Sequence, residues 1–341
     1  MSETKLFQHD QKTSLSRRMK DLLRPVVFKA RRLMFLMNLF RDHANDAWKF
    51  FKWSHNGIRD REKAQMESAI VKAYHGFEKG LSLQKPKPGF GQDKARNLLK
   101  KLAEWHSRYD PTEMTKAAEC SLLAYRNFNK DVGVSINFID AWAKHVGEPY
   151  EARLGGTLTL RKDDVLRHVD GVSEAFFTSR HSMRSFSSEE IPMSDIEKAV
   201  LIAQKSPSVC NRQGVRVLCA QNAEDALKWQ PGNKGFGHLA SRGLVITADL
   251  QAFSSSGERH QAYVDGGLFA MSLVYALHSM GYGSCMLAWN KNAQGEKEVR
   301  QSLQIKDNEV IIMMIAAGTL PDEFEVACSH RRPLSEVLTV Y

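Results

Sequence analysis

The chain has 341 residues, 43% hydrophobic and 26% charged, which reads as an ordinary globular protein long enough to bury most of its apolar surface without staples. Its formal charge of +9 is unevenly placed: residues 1–170 carry +11, residues 171–341 carry −2, and the stretch before residue 42 alone carries +7. Five cysteines, with no C-x-x-C pair, exclude a disulfide framework and fit a cytoplasmic, reduced protein. No apolar run nears the ~18–20 residues of a membrane span, and no GxxxxGK[ST] loop is present, which argues against a spanning helix and against a P-loop ATPase.

In chain order, residues 15–53 mix basic and large apolar side chains, and Pro25 is expected to break or start a helix. Such a segment can lie on an anionic membrane surface; packing of its apolar residues on the rest of the protein is the favoured expectation. Met66, Ile70, Tyr74, Phe77 and Leu81 recur at helical spacing, as do Leu98, Leu102, Trp105 and Tyr109. "PKPGFG" at 86–91 reads as a loop, residues 113–128 as a helix, and 145–158 as part of a linker. Ser194 and Glu197 have the spacing of a capping box at a helix start. Residues 215–220, 243–250, 284–289 and 309–318 read as strands. Residues 263–281 are apolar nearly all round, so a buried helix stopped by Gly281 is expected there, and a polar helix at 296–304. Strands separated by helices make the second half a layered sheet domain.

Several stretches carry chemistry. "RHSMRSF" (180–186) puts Arg180, Ser182 and Arg184 on alternate positions, so an extended backbone points all three the same way. Guanidinium forks suit a phosphate, and a serine hydroxyl adds a donor; a solvated basic strand is the plain alternative. "KSPSVCNRQG" (205–214) sets small hydroxyls and amides directly after a helix, and "PGNKGFG" (231–237) places Asn233 on a Gly-rich approach to a strand. Other pairings read as structural. His75 with Glu78 and His145 with Glu148 have the order opposite to the Glu-x-x-His of di-iron bundles, so no metal is expected. Cys210 reads as a small buried hydrophobe, not a nucleophile.

The order "RHSMRSF", "SPSVCNRQ", an apolar helix ending in "GYGSC", then a late arginine before Pro-Leu resembles the nitroreductase family of FMN flavoproteins over about 174–341. The resemblance implies an α+β fold: a nitroreductase-like mixed sheet flanked by helices, here preceded by a mostly helical region. It divides the chain into a basic helical extension at 1–150, a linker at 151–173 and an FMN-binding domain at 174–341. It implies that Arg180, His181, Ser182 and Arg184 meet the FMN phosphate and ribityl chain, with Arg331 joining from the C-terminal side. Pro207, Ser208, Asn211 and Gln213 would line the flavin from the other subunit of a homodimer. Asn233 would bond the ring, and the turn through Leu287, Ala288 and Trp289 would aim a backbone N–H at flavin N5.

The implied activity is an oxidoreductase that passes hydride from NAD(P)H through flavin N5 to an electrophilic small molecule such as a nitro compound or quinone. No side chain is expected to act as acid or base. The alternative is a flavin-fold scaffold whose basic front half engages a membrane, nucleic acid or protein partner; nucleic acid is the partner least expected. Three departures from the family pattern stand out: Gly214-Val215 in place of Pro-Trp, Ala288-Trp289 in place of Glu-Gly, and Ser329 in place of a lysine. Trp289 is expected to restrict the space over the ring, which argues against broad nitroaromatic reduction.

Overall fold

The computed structural model describes residues 3–55, 62–146, 154–291, 293–327, 329 and 331–341. By compactness the chain forms two units, Met1–Lys52 with Lys291–Glu296, and Trp53–Asn290 with Lys297–Tyr341. This division differs from the expected boundaries at 150 and 174: the helices from residue 63 onward belong to the same unit as the sheet.

The first unit is dominated by α1 (Glu3–Trp53). Pro25 neither breaks nor starts it. A proline in a helix interior costs about 3 kcal/mol. The apolar residues of this helix do not pack as expected: every residue from Val27 to Arg41 is exposed, Phe40 by 69%. Lys49 pairs with Glu296 at 3.0 Å inside this unit.

In the second unit, α2 (Lys63–Leu81), α3 (Gln92–His106), α4 (Glu113–Asp131) and α5 (Asn137–Val146) surround one apolar cluster. Met66, Ile70, Tyr74 and Phe77 of the α2 stripe are buried, beside Leu98, Trp105 and Tyr125. At the start of α4, Thr112 and Thr115 exchange side chain-to-backbone bonds at 3.3 and 2.9 Å. This capping box has Thr at its third position, so a search for Glu or Gln there misses it.

The expected linker is not a free tether where the structure describes it; residues 151–153 lie outside the described residues. Gly156 donates to Ser121 Oγ at 3.1 Å and Glu78 Oε1 at 3.3 Å. A Cβ on Gly155 would strike the Ala117 carbonyl of α4, so only glycine permits this approach. Beyond it, α6 (Lys162–Val169) and the short α7 (Glu174–Thr178) bury no residue.

The sheet follows. Helix α8 (Met193–Ala203) starts two residues earlier than the Ser194–Glu197 spacing suggests, with Pro192 at its N-cap and no side-chain cap bond. Pro192, with φ −57°, presets the entry, so Ser194 falls inside the helix and its expected box does not form. Then come β1 (Val215–Ala220), α9 (Ala223–Leu227), β2 (Arg242–Asp249), α10 (Gln261–Ser279), β3 (Tyr282–Ala288), α11 (Ala293–Leu303), β4 (Glu309–Thr319) and α12 (Leu334–Val337). Gly281, at φ +82°, follows the end of α10 as expected.

The strands run in the order β1-β2-β4-β3. All three pairings are antiparallel, so the parallel part of the expected mixed sheet shrinks to one bridge, Ser182 to Ser284. The fold class is α+β. One face of the sheet, through Leu244, Ile246, Ile315 and Ala317, packs on α8 and α10. The other, through Val245, Met314, Ala316 and Leu287, packs on α9, Met183, Phe186 and Val299. Between β2 and β4 the register slips after Ile246, leaving Ile312 without a partner. That bulge aims Ile312 at α10, where its Cγ1 would lie 2.6 Å from a Cβ on Gly266.

Candidate functional site

Residues 180–184 are held along β3. Besides the Ser182–Ser284 bridge, Met183 N donates to the Ser284 carbonyl at 2.9 Å. Met183 is buried, so in this extended stretch the flanking Ser182 and Arg184 turn away from the core. Burial pushes the Cys285 thiol of β3 up, and Arg184 and then Arg180 draw it part of the way back, so both guanidinium fields reach this strand. At the end of α10, His278 Nε2 lies 2.9 Å from Ser179 Oγ. Burial pushes the His278 imidazole below its ordinary value; the Phe176 backbone pulls it up in part, and the Arg180 and His181 charges push it down again. The ring is therefore neutral at pH 7.

The charge balance here differs from that of the arginines around the sheet. Arg212, Arg216 and Arg242 each face a glutamate. Among the described residues, Arg180 and Arg184 have no carboxylate partner. The one bond from this pair is from Arg184 Nη1 to the Ser182 carbonyl, at 3.4 Å. Two guanidiniums on one side of an extended stretch, with a serine between them and a histidine beside them, fit a phosphate dianion.

The second group is the loop after α8. Cys210, Asn211 and Gln213 have φ values of +50°, +54° and +51°, three left-handed non-glycine residues within four positions. Such backbone costs free energy and persists only where neighbours enforce it. Here Val209 N donates to both carboxylate oxygens of Asp265, at 3.1 and 3.3 Å, and Gln213 N donates to Ser208 Oγ at 3.0 Å. Asp265, 2% exposed, also accepts from Gln261 Nε2 at 2.8 Å. Arg212 points inward instead, its side chain 1% exposed and its Nη2 2.9 Å from Glu258 Oε1. Pro207, Ser208 and Gln213 line a cavity of about 210 Å³ with Asp265, Phe269 and Met114. Gly214, where the family pattern has proline, sits so close to Ala252 that a Cβ would lie 2.7 Å away.

The third group joins two loops. Gln230 Nε2 donates to the Ala288 carbonyl at 2.7 Å, tying the 230–233 turn to the end of β3. Leu287 is buried, Ala288 exposed and Trp289 half-buried against the same apolar cluster as Leu287 and Trp229. The Asn233 amide nitrogen is already committed, donating to the Leu227 and Gln230 carbonyls at 2.6 Å each, so only its oxygen is available for a ring. Arg331 is not brought to Arg180 by any contact among the described residues. It is exposed and its guanidinium donates to the Ser329 carbonyl, while Arg332 pairs with Glu336 at 3.1 Å.

The sequence reading passed over Asp265, Gln230 and the Arg212–Glu258 pair. Asp265 had a signal: it is the one charge within the apolar run "YVDGGLFAM". Of the two His-x-x-Glu pairs, His75 and Glu78 bond each other at 3.2 Å, and residues 147–150 of the second lie outside the described residues. No cluster of metal-binding side chains occurs among the described residues.

Helix α10 separates the first two groups. His278, beside Arg180, is near its C-terminal end; Asp265, which clamps the 206–213 loop, is near its start. Thirteen residues of α-helix span about 20 Å. One chain therefore presents a cationic group and a strained polar loop at opposite ends of one helix.

Residues 177–319 match the family model described as the nitroreductase family. An Archaeoglobus fulgidus protein named as a candidate NADH dehydrogenase/NAD(P)H nitroreductase is 28% identical over 149 residues, 42% of this chain and 83% of its own. A nitroreductase-family protein of Streptococcus pneumoniae is similar in structure with a TM-score of 0.42 at 20% identity, over 49% of this chain and 98% of that one. An FMN-dependent nitroreductase of Clostridium difficile gives 0.39 at 18% identity, over 46% and 92%. The family match begins and ends inside the α+β part, with "RHSMRSF", the 206–213 loop, α10 and β3 all within it: residues 177–319 of this chain are a nitroreductase-family domain, and so of an oxidoreductase family.

Proposed function

We propose that the protein is an FMN-dependent, NAD(P)H-oxidising reductase of nitroreductase type whose flavin site is completed by two copies of the chain. The observation that carries this reading is the unneutralised Arg180–Arg184 pair on β3. An anion of two charges is the ligand such a pair calls for, and Ser182 supplies a third donor. The separation along α10 supports the shared site. Pro207, Ser208, Asn211 and Gln213 are too far from the phosphate residues of their own chain, so they serve the cradle of the other copy. The name of the archaeal relative, which speaks of NADH and NAD(P)H, supports the same class of reductant.

Bound FMN would supply a two-electron carrier that accepts hydride at N5. This chain supplies placement. Arg180, Arg184 and Ser182 hold the phosphate end, with His181 and His278 beside them. The Gln230–Ala288 bond sets the end of β3, whose backbone N–H groups would serve the ring. Asp265 keeps the 206–213 loop in its strained shape so that the Ser208 and Gln213 side chains meet the polar edge. The half-buried Trp289 narrows the ring face and favours slim, flat acceptors such as quinones over bulky nitroaromatics. Titration of purified protein with FMN tests the reading: binding with quenched flavin fluorescence, and bleaching of the flavin absorbance by NADH or NADPH under argon, is expected. Protein that takes up no FMN would refute it.

A further inference from the structure

We propose that α1 pairs with the same helix of a second copy of this chain, in a parallel coiled coil along the seam Ala30, Leu33, Met37, Phe40, Ala44, Ala47, Phe51. The steps between these residues are 3, 4, 3, 4, 3 and 4, an unbroken heptad alternation over three heptads. All seven are exposed in the single chain, Leu33 by 59%, Met37 by 64%, Phe40 by 69% and Phe51 by 53%. A helix of 51 residues with an uncovered apolar seam gains no packing energy, and isolated helices owe most of their stability to packing.

The charges agree with pairing. The residues that flank the seam and meet across a parallel pair are Lys29 with Met34, Leu36 with Arg41, and His43 with Trp48. No two like charges meet there. Arg31, Asn38, Asp42 and Lys49 point to the far side of the helix, away from the seam. An antiparallel pair centred near residue 41 would instead set Arg41 against Arg41. The area is also sufficient. At roughly 100 Å² for each of Leu33, Met34, Met37, Phe40, Trp48 and Phe51, plus the alanines, two copies bury about 1,400 Å², within the range of stable interfaces.

Ala44→Cys tests the pairing in the full chain, because a seam position faces its own copy only in a parallel, in-register pair. Under mild oxidation the variant is expected to give a covalent dimer on non-reducing gels, well above the wild-type background from the native cysteines. The same variant carrying Phe40→Glu should lose at least nine-tenths of that product. Carrying Phe35→Glu, equally exposed but off the seam, it should keep the product. Absence of the cross-link, or equal loss with Phe35→Glu and Phe40→Glu, would overturn the proposal. So would flotation of the wild-type chain with phosphatidylserine vesicles that both substitutions abolish, since that assigns the helix to a lipid surface. FMN content measured on the same variants separates this test from the flavin reading.

Discussion

Arg180 and Arg184 share one side of the segment that β3 holds extended, and among the described residues neither has a carboxylate partner. A charge-assisted bond to phosphate is worth about 1.5–3 kcal/mol. Arg180→Ala is therefore expected to weaken FMN binding by about 10- to 100-fold in a fluorescence titration, with the melting temperature of flavin-free protein unchanged. Arg331→Ala separates a phosphate ligand from a solvated turn residue: a loss as large as that of Arg180→Ala would place the late arginine at the phosphate. Glu258 shows the opposite situation, a carboxylate with more partners than it needs. Burial pushes its carboxyl up, but the Ser254 N–H at 2.7 Å, Arg212 and Lys72 outweigh burial and hold it below its ordinary value. A depressed carboxyl contributes stability above its unfolded value of about 4.5, and that contribution is lost as pH falls through the folded value. Glu258→Gln leaves Arg212 buried and unpaired, and is expected to cost about 3 kcal/mol at pH 7. The difference from wild type should shrink below about pH 4 in urea melts.

At the scale of elements, the strained loop and α10 form one device. Gln213 holds φ +51°, which glycine adopts freely. Gln213→Gly is expected to stabilise the fold by about 0.5–1 kcal/mol while lowering FMN affinity, two effects of opposite benefit read by thermal melts and titration. Loss of both stability and affinity would show that the side chain, not the backbone, holds the loop. Gly266 tests the other end of the device. A Cβ there would lie 2.6 Å from Ile312 Cγ1, and Ile312 is fixed by the β4 bulge. Gly266→Ala is expected to cost about 1–3 kcal/mol in denaturant melts, and to disturb the loop through the neighbouring Asp265. These elements were legible to different degrees. Strands β1–β4 and α10 stood out because strong apolar runs with glycine stops repeat at sheet-domain spacing. The start of α8 was misread because Pro192 competes with the Ser194 box, and a local cap cannot show which start wins. The α4 cap was missed because its third position is threonine.

For the whole molecule, the helices α2–α5 are part of the unit that contains the sheet. Gln251 Nε2 donates to Glu62 at 2.6 Å, His55 N donates to the Phe253 carbonyl at 2.6 Å, and Met114 of α4 lines the cavity beside Gln213. Removing residues 1–52 is expected to leave a soluble chain that binds FMN, measured by gel filtration and flavin absorbance. Removing residues 1–150 strips these contacts and is expected to give insoluble protein; a soluble, FMN-binding product would restore a boundary near residue 150. Read alone, the amino-acid order determined the strands, the buried central helix, the absence of a long apolar span and the grouping of residue types that suits a flavin phosphate. All of these depend on neighbours a few positions apart, where periodicity and turn chemistry act. Only the tertiary structure decided that Arg180 and Arg184 have no carboxylate partner among the described residues, that Arg212 turns inward to Glu258, that Asp265 enforces the 206–213 loop, and that α10 sets Asp265 and His278 about 20 Å apart. Burial and charge pairing are set by residues distant in the chain, and no local pattern records which of them meet.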